Sequence, residues 1–296
     1  MSTAVAAPAL PAPPSGRMAI QASYASLGFA CVGLVLLAIG VFYHQVNFGI
    51  VTPWFAQVST LLGDVFLSLA IFLHIDHLSY RIGRTAVVLF LIALALPFLF
   101  RIPRLFNPSL ELHTSWANVA TAAYGTAFIA LGLGMASIAI HKEKQIERGL
   151  VQVADVGATD PADVTVHASF FSLISASIGM ILYAIGLFQV IGNPTGTREG
   201  WILEVLGMTL LSIGIISHVE HLGRHIGNGA VVFAILGAIL NAVANLPFAI
   251  SHSTTTTKSW QVMSGYGTGA AWLCFGIAVG LVILRKRSIE AESAKS

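Results

Sequence analysis

The stretch 74–88 reads HIDHLSYRIGRTAVV, and the stretch 218–232 reads HVEHLGRHIGNGAVV. Each carries two histidines three apart, an acid between them, then Ile-Gly, then Ala-Val-Val, at a spacing of roughly 144 residues. Each also lies between two apolar runs: Trp54–Leu73 and Thr85–Phe100 around the first, Trp201–Ser217 and Ala230–Ile250 around the second. About 20 apolar residues are what a helix needs to cross a hydrocarbon core about 30 Å thick. The matched stretches therefore predict a duplicated membrane unit.

Outward from this pair the order persists. Ala38-Ile39-Gly40 returns as Ala184-Ile185-Gly186, and Ser115-Trp116 as Ser259-Trp260. Tyr124-Gly125-Thr126 returns as Tyr266-Gly267-Thr268, and Leu96-Pro97-Phe98 as Leu246-Pro247-Phe248, the last six residues further along. Four more apolar runs, Leu27–Val46, Trp116–Ile140, Phe170–Ile191 and Tyr266–Leu284, complete the set. The expected fold class is an all-α integral membrane protein with about eight transmembrane helices as two parallel four-helix repeats. Four spans per unit return the chain to its starting side, so the units relate by an axis along the membrane normal. The expected divisions are a disordered Ala/Pro-rich tail (1–22), a first repeat (23–141), a cytoplasmic linker (142–167), a second repeat (168–287) and a cytoplasmic tail (288–296). Residues 1–22 do not read as a secretory signal, since no charge precedes Arg17 and the apolar run that follows is long enough to stay in the membrane.

Composition agrees. Of 296 residues, 56% are hydrophobic and 9% charged, and the mean hydropathy is +0.82. Soluble domains carry about 25% charged residues, so this chain needs the lipid bilayer as part of its solvent. A net charge of +2, with no run of Lys or Arg longer than the three residues Arg285-Lys286-Arg287, argues against phosphate-backbone recognition, and no nucleic acid partner is expected. Cys31 and Cys274 lie in apolar runs and make no disulfide framework. The sequence specifies neither partner subunits nor a homo-oligomer.

The basic residues give an orientation. One set of segments holds Arg17, Arg81, Arg84, Lys142, Lys144, Arg148, Arg224, Arg285, Lys286 and Arg287, the other Arg101, Arg104, Arg198 and Lys258. The richer side is expected to be cytoplasmic, as in a bacterial-type inner membrane, with both termini inside. Trp54, Trp116, Trp201 and Trp260 then fall at outer helix ends, where indole rings favour the interface. The Arg101/Arg104 pair runs against the rule.

The histidines are the first candidates for chemistry. On a helix His74 and His77 share a face, and so do His218, His221 and His225; Arg81 stands where the second unit has His225. If the units pack about a common axis, four or five imidazoles converge at the cytoplasmic ends of the second and sixth spans. Imidazole ligates transition metals and haem iron, so a transition metal or haem is the expected cofactor, in a redox or oxygenase-type role. Asp76 and Glu220 point away from the first histidine of each pair; if the helix unwinds at its end they reach the site or orient a ligating histidine. A second set lies inside the spans. Asp64 is mid-span and must face the bundle interior or water; with Glu204 it outlines a proton or cation path, but it does not recur, Met208 holding the matching place. Asn241 and Asn245, four apart, read as interhelical hydrogen-bond formers. With Asp64 they are the lining groups of the alternative function, a transporter or channel for a small solute or ion. A third reading is a structural or accessory subunit. No phosphate-binding glycine loop, Gly-x-Ser-x-Gly elbow or His-Glu-x-x-His motif is present. Reporter fusions in the 142–167 segment and after Arg287 are expected to report cytoplasm; a periplasmic signal from either overturns the orientation.

Overall fold

The computed structural model describes residues 22–46, 52–147, 168–189, 191, 197–217, 223, 226–250 and 257–293. These are all helical or short connections. The elements are α1 (Tyr24–Val46), α2 (Trp54–Phe72), α3 (Ile75–Ile82), α4 (Arg84–Ala95), α5 (Phe98–Phe106), a 3-10 turn (Pro108–Leu112), α6 (Thr114–Glu147), α7 (Phe170–Phe188), α8 (Arg198–Ile216), α9 (Asn228–Ile250) and α10 (Thr257–Ser293). Among the described residues, eight spans are long and apolar enough to cross a membrane, with α4 and α5 forming the third together. The protein is therefore a polytopic helical membrane protein. Most of residues 1–22 and of the 142–167 linker lie outside the described residues, although α6 runs on to Glu147 and α10 to Ser293.

The sequence places the spans well, and the differences have physical causes. The third span is longer than its expected Thr85–Phe100 and is broken. Pro97 lacks an N–H to donate back along the helix, so α4 stops at Ala95 and α5 restarts at Phe98. The corresponding Pro247 lies inside an unbroken α9. Arg101 and Arg104, expected in an outer loop, are inside α5. The second span stops at Phe72, and a separate short helix follows. In α3 (IDHLSYRI) polar and apolar residues segregate to opposite faces, as in a helix lying along an interface. Gly83 closes it at φ 90° and Gly227 has φ 91°, the two positive-φ glycines among the described residues. Any side chain at that φ is strained, which accounts for glycine in both copies of the Ile-Gly pair.

In chain order each span packs on the next, and α10 returns to pack on α1, closing a ring. Lipid offers no hydrophobic drive between helices, so small residues that let backbones approach do the work. A Cβ on Gly63 would lie 2.8 Å from the carbonyl oxygen of Gly33, and one on Gly33 2.9 Å from that of Gly63. Between α7 and α8 the same happens: a Cβ on Gly207 would lie 2.5 Å from the Gly179 oxygen, and one on Gly179 2.6 Å from the Gly207 oxygen. Gly40 closes on Ala56 and Thr60, Gly186 on Gly200 and Glu204. Ser26 Oγ donates to Ala70 O (2.8 Å) across α1 and α2, and Ser172 Oγ to Gly214 O (2.7 Å) across α7 and α8. At the seams Lys142 Nζ donates to Ala168 O and Lys286 Nζ to Ala22 O, both at 2.6 Å. The outward faces carry exposed Ile, Leu, Val and Phe, such as Ile213, Leu236, Val88 and Phe171, suited to lipid. Gly207→Ala is expected to destabilise the detergent-solubilised protein by about 1–3 kcal/mol, since backbone atoms cannot step aside for the new methyl group. Gly28→Ala, where nothing lies within 4 Å, is expected to leave the thermal midpoint unchanged or higher; equal midpoints for the two variants would refute this packing.

Candidate functional site

The side chain of His77 and the whole of His218, Glu220, His221 and His225 lie outside the described residues. His74 is described. It sits at the break between α2 and α3 rather than within a helix, with φ −124° and ψ 16°. Its Nε2 accepts the Ser23 N–H at 3.0 Å, so its Nδ1 carries the proton and donates to Leu73 O, also at 3.0 Å. Both ring nitrogens are thus engaged with backbone, tying the start of α1 to the end of α2. Asp76 is exposed in the first turn of α3, and Arg81 is half-buried in its last. Among the described residues no group of three or more His, Cys, Asp or Glu is placed to hold a metal. The helices leading to the two histidine motifs, α2 and α8, do not pack on each other appreciably.

The inner polar residues do come together. Asp64, 4% exposed, is mid-span in α2, and Arg101, 8% exposed, is in α5. They form a buried ion pair through Nη1 and Oδ2. Arg101 Nη1 also donates to Thr60 O at 3.0 Å, and Nη2 to the Tyr124 hydroxyl at 2.6 Å. The guanidinium carbon stands 5.6 Å from the centre of the Tyr124 ring, which packs edge-on to Phe100 at 4.7 Å. One side chain therefore ties spans two, three and four. The helix restarts at Phe98, three residues before Arg101, whose own N–H donates back to Pro97 O at 3.0 Å.

A second cluster faces the first. Tyr183 of α7 neighbours Asn245 of α9, Glu204 of α8 and Tyr124 of α6. Ser264 of α10 donates to Asn245 Oδ1 at 3.4 Å. Asn241 Nδ2 donates to Met208 Sδ at 3.0 Å. Glu204 in α8 is 2% exposed, and its Oε1 has no hydrogen-bond partner. Polar side chains from all spans but the first thus run from Asp64 through Arg101, Tyr124 and Tyr183 to Glu204, Asn245 and Ser264. The asparagines behave as expected, bonding across helices. The repeated tyrosines do not share a setting: Tyr124 holds Arg101, whereas Tyr266 is 58% exposed and packs on Phe42 with ring centres 4.9 Å apart. Sequence reasoning missed Arg101 as a site residue because it was counted as a loop charge. The available signal was its place four residues past Pro97 in an apolar run that could be extended to Phe106.

On the outer surface of α8 and α9, a shallow groove of about 320 Å³ is lined by Arg198, Ile202, Val205, Leu206, Leu246, Ala249 and Ile250. It does not reach Glu204. No protein-family profile matches the chain, and neither does any curated protein or solved structure. The class of the protein therefore rests on its own residues: a polytopic helical membrane protein with an intramembrane charge network. Removing one member of a buried ion pair leaves the other uncompensated, at a cost of about 3–5 kcal/mol. Arg101→Met is expected to lower stability by that order, and Asp64→Asn added to it to recover most of the loss, both measured by thermal unfolding in detergent. A double variant no more stable than the single one counts against the pairing.

Proposed function

We propose that this protein is a membrane carrier for a small solute or ion, working through the charge network between its spans. The observation that carries this reading is the Asp64–Arg101 pair at the break in the third span. A charge in hydrocarbon costs a few kcal/mol even on scales that allow relaxation, and membrane proteins keep such charges chiefly where they act. A scaffold has no use for such a pair, since the glycine contacts already hold the ring together.

The layout proposed for the carrier is two parallel four-helix units related about the membrane normal, with both termini cytoplasmic. Its support is the ordered recurrence of sequence motifs and the paired contacts: Ser26 and Ser172, Lys142 and Lys286, Gly63 and Gly207. Two like units on either side of a shared interior suit alternating access, in which one rocks against the other. The histidine reading, a metal or haem held by His74, His77, His218 and His221, rests on the recurrence of the motif alone. The two backbone bonds on the His74 ring count against it.

Access to the network tests the carrier directly and needs no knowledge of the cargo. Ser68 of α2 lies one turn beyond Asp64, and Ser264 of α10 is 3% exposed beside Asn245. With Cys31 and Cys274 replaced by Ala, Ser68→Cys and Ser264→Cys are introduced singly and treated in proteoliposomes with a membrane-impermeant maleimide. A carrier labels Ser264→Cys from one face and Ser68→Cys from the other. Protection of both from both faces overturns the reading, and a Soret band or stoichiometric transition metal in the same purified sample establishes the histidine site instead.

A further inference from the structure

We infer that Glu204 is a proton-binding site, taking up and releasing one proton within the membrane as the carrier moves between states. This rests on the carrier reading for its purpose, but its geometry stands apart. The carboxylate is on the second turn of α8, 2% exposed, with Oε1 unpartnered. The side chain is admitted by Gly186 of α7: a Cβ there would lie 2.7 Å from Glu204 Cγ. Helix packing does not require an acid at this place. In the counterpart contact of α1 with α2, Gly40 meets Thr60, whose hydroxyl bonds only to backbone of its own helix.

What surrounds Glu204 decides what it binds. The helices packed on α8 are α7 and α9. The titratable side chain of α7 is Tyr183, and α9 has none. Beyond Tyr183 stand Asn245, Ser264 and Tyr124, all uncharged. No Lys, Arg or His among the described residues pairs with the carboxylate, in contrast to Asp64 with its guanidinium. A desolvated carboxylate without a cation beside it must neutralise its charge with a metal ion or a proton. Calcium takes six to eight oxygen ligands and magnesium an octahedron. Here a single carboxylate is on offer, and no cluster of three or more ligating acids, histidines or cysteines exists among the described residues. A proton needs one oxygen. The step is therefore carboxylate plus proton to carboxylic acid, the proton coming from and returning to water, with no other bond changed.

Infrared difference spectroscopy of the full-length protein in liposomes, titrated with pH, reads this group directly. The wild type is expected to show a carboxylic C=O band that disappears as pH rises. Glu204→Gln, which keeps shape and neutrality, is expected to lose that band completely, whereas Glu204→Asp retains a shifted one and Asp64→Asn leaves it in place. In the labelling assay, the inside-to-outside ratio for Ser264→Cys is expected to change with pH in the parent and to stay at its low-pH value once Glu204→Gln is added. A band that survives Glu204→Gln, or the lack of any titrating band in the wild type, overturns the proton site. Alternating labelling without a Glu204-dependent band leaves the carrier and removes its proton. A Glu204-dependent band with both cysteines protected removes the carrier and leaves the proton site.

Discussion

A guanidinium in the hydrocarbon region cannot be hydrated, so its donors have to be answered by the protein. Arg101 is answered by Asp64, by the carbonyl of Thr60 and by the hydroxyl of Tyr124. Those three partners come from two other spans. The burial of Asp64 and the inward turn of Tyr124 are thus one solution to one desolvation problem. The seventh span meets a lighter demand: α9 carries asparagines, and neutral amides can be satisfied singly across helices.

The rest of the ring is held by close approach. Gly33 and Gly63, Gly179 and Gly207, Gly186 and Gly200 bring backbones near enough for van der Waals contact to replace the missing hydrophobic drive. The buried apolar groups are mostly small, as in the Ala93, Ala127 and Ala130 cluster, and the large apolar side chains are left to lipid. Tight walls of small residues leave the polar side chains as the bulky groups of the interior, which is why they meet one another from so many helices.

Much of the fold was legible in the sequence. Runs of about 20 apolar residues located all eight spans to within a few residues, except at the third span, at the end of the fourth and at both ends of the eighth, where polar residues such as Lys144, Ser259 and Arg287 extend helices beyond the apolar run. The glycine pair at 83 and 227 was visible as a repeated Ile-Gly, and its positive φ supplies the reason. The inner site was half legible. Asp64, Glu204, Asn241 and Asn245 stand out as polar residues in apolar runs, but their pairing depends on which helices face each other, and no periodicity encodes that. Arg101 was misplaced because charge counting treats an arginine after a proline as loop. The shared face read from the His74–His77 spacing assumes a continuous helix, whereas the chain stops its helix at Phe72 and the His74 ring bonds the backbone of Ser23.

The two lysine seams bear on how the chain is threaded. At Lys142 and Ala168 the meeting helices belong to consecutive segments, whereas at Lys286 and Ala22 they come from opposite ends of the sequence, yet each seam uses the same 2.6 Å bond and a cation set over an aromatic ring, Phe170 at 5.3 Å and Tyr24 at 5.0 Å. The ring is therefore indifferent to which seam the covalent chain crosses. A circularly permuted gene, opened in the 148–167 segment and joined from the end of α10 to the start of α1, encodes the same closed set of contacts, and so would two half-length chains expressed together.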